Sequence, residues 1–275
     1  MQALILYLIS YKRELSAPGL PEVIAMTEYS LFKRSIAELI GTFVLVFFGT
    51  GIVVETVLLL QGTPALPGNT YNVGIDIVAW FVLSLAFGVP IMIMVYVFGG
   101  ISGTNINPAI SIALWATKNL PTMDAIVYIV AQLIGAVLGS LAVVAIWGTR
   151  AVTTGLGATT MFPGVSYWQA IAAETICTFL LVIAVFAMAV NKKAPGGWAG
   201  LVIGSAATLG LLLEGNVTGG SLNPARTFGP YLVQWLMGGA NNWWQFPIYV
   251  IGPILGGLIA AFLYTYLAEL KAQKA

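Results

Sequence analysis

Six stretches of the chain are apolar for about the length that carries a helix across a bilayer: Arg34 to Leu60, Asp76 to Phe98, Asp124 to Trp147, Tyr167 to Val190, Gly197 to Leu213 and Gln245 to Ala268. The fifth is the shortest. These runs are continuously apolar and lack the alternation of lipid-facing barrel strands, so helices are predicted. Two further apolar stretches, Ile110 to Trp115 and Arg226 to Leu236, are too short to span. Each follows a Gly-rich loop and an Asn-Pro-Ala triplet, Asn107-Pro108-Ala109 and Asn223-Pro224-Ala225. Asn is a favoured N-cap and Pro suits the first helical position, so each triplet reads as a helix start. The predicted fold class is an all-α membrane protein with six transmembrane helices and two half-helices.

The pattern repeats. "IAELIGTFVLV" (Ile36 to Val46) matches "AAETICTFLLV" (Ala172 to Val182), which pairs Glu38 with Glu174. "YIVAQLIGAVLG" (Tyr128 to Gly139) matches "YVIGPILGGLIA" (Tyr249 to Ala260), with small residues at every fourth position, the spacing that lets membrane helices approach closely. We divide the chain into an N-terminal extension (1–32), a first repeat (33–147), a connecting loop (148–166), a second repeat (167–268) and a C-terminal tail (269–275). Three spans per half is an odd number, so the second half is inserted upside down relative to the first. In such inverted repeats the site lies near the midplane, where broken helices of the two halves meet. The two half-helices are then expected to face each other N-terminus to N-terminus. Each end carries about half a positive unit charge, which disfavours cations. The amides of Asn107 and Asn223 can donate hydrogen bonds to a neutral molecule with a lone pair, such as water or an alcohol.

Composition narrows the function classes. The 275 residues are 59% hydrophobic and 8% charged, against roughly a quarter charged in soluble domains. Nine of the eleven Lys and Arg residues fall on the side of the termini, with Arg150 and Arg226 opposite, so both termini are expected in the cytoplasm. There is no His, and Cys177 is the single cysteine, which excludes intrachain disulfides and Cys/His metal or catalytic sites. No cofactor, metal or nucleic-acid partner is expected, and Cys177 reads as a small buried hydrophobe. The start "MQALILYLISYKRELSAPGLPEV" is too short to span and lacks a cleavage pattern. It reads as an extension of unknown role, with Met26 as an alternative start.

Taken together, "AELIGTFVLVFFG", "LAFG", "ISGTNINPA", "AAETICTFLL", "SLNPARTFGP" and "IGPILGG" closely resemble the aquaporin (major intrinsic protein) family over roughly Lys33 to Leu267. The wording is most similar to the archaeal aquaporin M group. The resemblance implies a homotetramer in the cell membrane, with one pore per subunit. It also implies a four-residue selectivity filter, which by motif spacing falls on Phe87, Leu211, Gly220 and Arg226. Exclusion by an Arg and by half-helix dipoles is the accepted account of such pores. Strict water channels of the family usually have His at the second filter position. Glycerol facilitators usually have Gly there, an aromatic at the third, and Asp after the Arg. Leu211, Gly220 and Thr227 match neither set. Water conduction is therefore expected, with slower passage of glycerol, dissolved gases or hydrogen sulfide. The alternative is a small-solute facilitator with low water flux. Gly220 stands where the family commonly has a mercury-sensitive Cys, so mercurial block there is not expected.

An Arg at membrane depth costs several kcal/mol by insertion scales, so Arg226 is expected to face a wet cavity. Buried carboxylates are costly unless bonded, and by the same resemblance Glu38 and Glu174 hold loop backbone groups near the half-helices. Glu55 and Asp76 are expected to be solvated. Asn216-Val217-Thr218 fits a glycosylation sequon but is expected in a loop folded into the pore. A coupled transporter can share the inverted repeat, yet its titratable groups would have to be those two acids. An adhesive protein on the same fold would have negligible permeability. An enzyme is not expected, because no nucleophile has a base beside it.

Overall fold

The computed structural model describes residues 29–62 and 77–270. Most of the N-terminal extension, Asp76 and the last five residues lie outside these. The first half comprises α1 (Leu31–Gly62), α2 (Ile77–Ser102), the half-helix α3 (Pro108–Ala116) and α4 (Thr122–Trp147). The connecting segment contains a short helix, α5 (Thr149–Thr153), which the hydropathy pattern did not suggest. The second half comprises α6 (Tyr167–Val185) with a π turn (Phe186–Val190), α7 (Ala199–Thr218), the half-helix α8 (Pro224–Leu236) and α9 (Ile248–Leu267). Six helices among the described residues are long and apolar enough to cross a membrane. Their outward faces carry exposed apolar side chains such as Phe32, Leu138, Ile176 and Phe262, as a lipid solvent requires.

The small-residue stripes sit where helices of one half touch. A methyl group on Gly139 of α4 would lie 2.8 Å from the carbonyl oxygen of Phe43 on α1. In the second half, one on Gly252 of α9 would lie 2.6 Å from Glu174 Cβ on α6. Across the halves, one on Gly204 of α7 would lie 2.7 Å from the carbonyl oxygen of Gly88 on α2. No side chain fits at these crossings, and close backbone approach replaces the hydrophobic drive that lipid cannot supply.

The fifth span differs from its expected short form. Helix α7 continues through Glu214, Gly215 and Asn216 to Thr218, 20 residues in all. Glu214 ends the apolar run in the sequence, but its side chain turns inward and is 1% exposed, so the helix has no reason to stop there. The Asn216-Val217-Thr218 sequon accordingly lies in the last turn of α7 rather than in a loop. The helix ends at Gly219, whose φ of 75° is left-handed and suits a residue without Cβ.

Candidate functional site

The two half-helices meet end to end. Asn107 caps α3, its Oδ1 accepting from Ala109 N at 2.9 Å. Asn223 caps α8, its Oδ1 accepting from Ala225 N at 3.0 Å and Arg226 N at 3.3 Å. The amide nitrogens cross the seam: Asn107 Nδ2 donates to Leu222 O at 2.8 Å, and Asn223 Nδ2 donates to Ile106 O at 2.9 Å. Each amide has two N–H groups, so one of each pair is left for a molecule between the helices. Pro108, Ala109, Pro224 and Ala225 form the buried first turns behind the asparagines.

The carbonyls that receive these bonds belong to Ile106 (φ 42°) and Leu222 (φ 57°), both in the left-handed region. Such backbone costs about 1–2 kcal/mol per non-glycine residue, so something must hold it. Two carboxylates do. Glu38 accepts from Asn105 N at 2.9 Å and Ile106 N at 2.6 Å, and also from Ser102 Oγ at 2.7 Å and Gln132 Nε2 at 2.8 Å. Glu174 accepts from Ser221 N at 3.1 Å and Leu222 N at 2.9 Å. Both acids are fully buried.

Two cavities adjoin at this seam. One, of about 100 Å³, runs past Asn107 and Asn223 toward Gly99, Asn119 and Val190 on the side of the termini. The other, of about 210 Å³, opens on the opposite side between Val53, Trp80, Gly157 and Phe162. Phe87, Leu211 and Arg226 line both, and so mark the junction. The fourth residue of the expected filter, Gly220, lines neither, whereas Gly219 lines the second. A Cβ on Gly220 would stand 2.8 Å from Leu211 Cδ2, so the glycine lies against Leu211 and leaves it room.

Arg226 is 2% exposed to bulk solvent and faces both cavities. Its Nη1 donates to Gly157 O at 2.9 Å, and its Cζ lies 4.3 Å from the centroid of the Phe87 ring. Carbonyl and ring face fix the guanidinium, and its Nε has no protein partner among the described residues. Sequence reasoning did not find Gly157, because a backbone acceptor leaves no mark in residue type.

Other acids differ from their expected settings. Glu214, which an apolar run ending at Leu213 leaves outside the fifth span, accepts from Ser221 N at 3.1 Å beside Glu174. Its signal was an acid following "LGLLL" and preceding Gly-Asn. Glu55 accepts from Trp147 Nε1 at 2.9 Å in an exposed contact rather than being merely solvated. Arg34, counted with the flanking charges, forms an ion pair with Asp124 that ties α1 to α4. Cys177 is buried and lines neither cavity. Among the described residues no group of three His, Cys, Asp or Glu side chains is placed to hold a metal.

Comparison with known proteins shows the family and the fold. The family model "Major intrinsic protein" matches residues 25–264. The chain is 51% identical over 247 residues to the probable aquaporin AqpM of Archaeoglobus fulgidus, covering 87% of this chain and 98% of that protein. It is 49% identical over 245 residues to aquaporin AqpM of Methanothermobacter thermautotrophicus, covering 87% and 99%. Among solved structures it superposes on the aquaglyceroporin of Plasmodium falciparum with a TM-score of 0.71 at 25% identity, covering 88% of this chain and all of that one.

Proposed function

Because the chain belongs to the major intrinsic protein family, the aquaporins, we propose that it is a passive channel for water and, more slowly, small neutral solutes. The observation that carries this is the seam. Two helix N-termini point their partial positive charges at one place, and Asn107 and Asn223 each keep an N–H free beside an apolar-walled cavity. A water molecule there accepts from the amides and finds little to hold it on the facing walls, so it passes quickly. A cation meets two helix dipoles and the Arg226 charge. A unit charge about 4 Å from another costs roughly 4 kcal/mol at an effective dielectric of 20, nearly a thousandfold in occupancy, before lost hydration is counted.

Phe87, Leu211 and Arg226 act as the filter, with Gly220 setting the position of Leu211. Leu211 offers no hydrogen bond, which favours solutes with apolar carbon over a strict water filter. Glu38 and Glu174 hold the re-entrant segments, and the two repeats run over 33–147 and 167–268 about the connecting loop. The protein works as a homotetramer in the cell membrane. Lys33, Lys118, Lys192 and Lys193 beside the termini support cytoplasmic ends.

Stopped-flow light scattering on proteoliposomes tests the function. Accelerated shrinkage in an impermeant osmolyte and reswelling in glycerol are expected. Shrinkage without reswelling would mean a narrower filter, and no acceleration over empty liposomes would refute the channel.

A further inference from the structure

The inverted repeat sets up an internal comparison. Tyr128 donates its hydroxyl to Ser102 O at 3.0 Å, and its counterpart Tyr249 donates to Thr218 O at 2.8 Å. Glu38 and Glu174 sit at equivalent places and grip equivalent backbone N–H pairs. Ser102 Oγ and its counterpart Thr218 each add a side-chain donor, but one further donor is not matched. Glu38 also receives the side-chain amide of Gln132, whereas the matching position on α9 is Pro253, which has no donor to give.

A second acid stands near that gap. Ser221 N donates to Oε1 of Glu174 and to Oε1 of Glu214, both at 3.1 Å, so the two carboxyl groups converge on a single hydrogen. Glu214 Oε2 is buried with no hydrogen-bond partner among the described residues, and the residue is 1% exposed. Arg226 gives its Nη1 hydrogen to Gly157 O, and the one ion pair among the described residues is Arg34 with Asp124. Two ionised carboxylates would thus repel across one shared backbone donor in a buried setting, with only the weakly donating thiol of Cys177 beside Glu214. Carboxyl groups in that position share a proton.

We infer that Glu214 is a neutral carboxylic acid that donates its proton to Glu174, supplying from α7 the hydrogen bond that Gln132 supplies to Glu38 in the other half. Glu214 is then a positioning residue. It acts through Glu174 on Ser221 and Leu222, and through Leu222 O on Asn107. The other titratable or charged groups around the pair are Cys177 on α6, Arg226 and Tyr231 on α8, and Tyr249 on α9. With one proton the pair presents one negative charge to Arg226. Without it the pair presents two, and the segment between them loses its anchor.

Infrared spectroscopy on the reconstituted protein reads the proton directly and does not depend on the channel reading. The wild type is expected to show a protonated-carboxyl C=O band that shifts downward in heavy water, and Glu214→Gln should lose it. Absence of that band from the difference spectrum overturns the inference. Flux, which does rest on the proposed function, gives the second arm. Glu214→Gln keeps a donor and should retain water permeability without the alkaline decline expected of the wild type. Glu214→Leu removes the donor and should lose permeability by roughly tenfold or more, the equivalent of one hydrogen bond to a charged group. Equal behaviour of the Gln and Leu variants, or an identical pH profile for Gln and wild type, overturns the positioning role. A band present in a protein without water flux would sink the channel reading and leave this one standing.

Discussion

Glu38→Gln isolates the anchor of the first re-entrant segment. The substitution keeps shape and volume, but replaces one carboxylate oxygen by an NH2 group. Each oxygen of Glu38 receives two donors, Ser102 Oγ and Asn105 N on Oε1, Ile106 N and Gln132 Nε2 on Oε2. Whichever way the new amide turns, its NH2 faces one backbone N–H that cannot rotate away, Asn105 N or Ile106 N, while the Ser102 hydroxyl or the Gln132 amide beside it can turn to accept. A buried donor left without an acceptor costs about 1–3 kcal/mol. Gln is easier to bury than a carboxylate, which offsets part of this. The remainder is set against a typical stability of about 5–15 kcal/mol. It falls on Ile106, whose left-handed backbone already opposes the bound geometry and whose carbonyl holds Asn223. The expected result is a lower thermal unfolding midpoint in detergent and a water permeability reduced at least tenfold in proteoliposomes, since 1.4 kcal/mol of segment displacement suffices for that. An unchanged midpoint together with unchanged permeability would refute the anchoring account.

Three further outcomes follow from the junction. Arg226→Val should admit protons or small cations, read as dissipation of an imposed pH gradient, and an unchanged leak would remove Arg226 from the filter. Leu211→His should lower glycerol flux relative to water, because it narrows the opening and adds a donor, whereas equal loss of both fluxes would indicate misfolding. Gly220→Cys should create mercurial block where the wild type has none, because its thiol would stand against Leu211 beside the pore while native Cys177 is buried off it. Its cost is about 1–2 kcal/mol for a side chain at a φ of 70°. Water flux in Gly220→Cys that mercury leaves intact would show that the position does not reach the pore.

Hydrophobic solvent acts on each residue separately, which is why so much was legible in order along the chain. Continuous apolar runs made six spans, an Asn followed by Pro made each half-helix start, and the match of Glu38 with Glu174 made the inverted duplication. The count of spans per half then put the two asparagines opposite each other before any coordinate was known. What escaped was whatever depends on distance between residues far apart in the chain. Hydropathy treats Glu214 as the end of a span, because it registers an acid and not the Ser221 N–H that donates to it. Arg34 reads as a flanking charge until Asp124, 90 residues on, lies against it. Gly157 holds Arg226 through a carbonyl that every residue type possesses, and Gly220 yields the cavity wall to Gly219 by a turn of backbone. Side-chain chemistry alone places the apolar stretches in the membrane, because transfer from water to lipid is a property of each residue. Which buried groups meet depends on the packed fold, because hydrogen bonds and cavities are made by pairs.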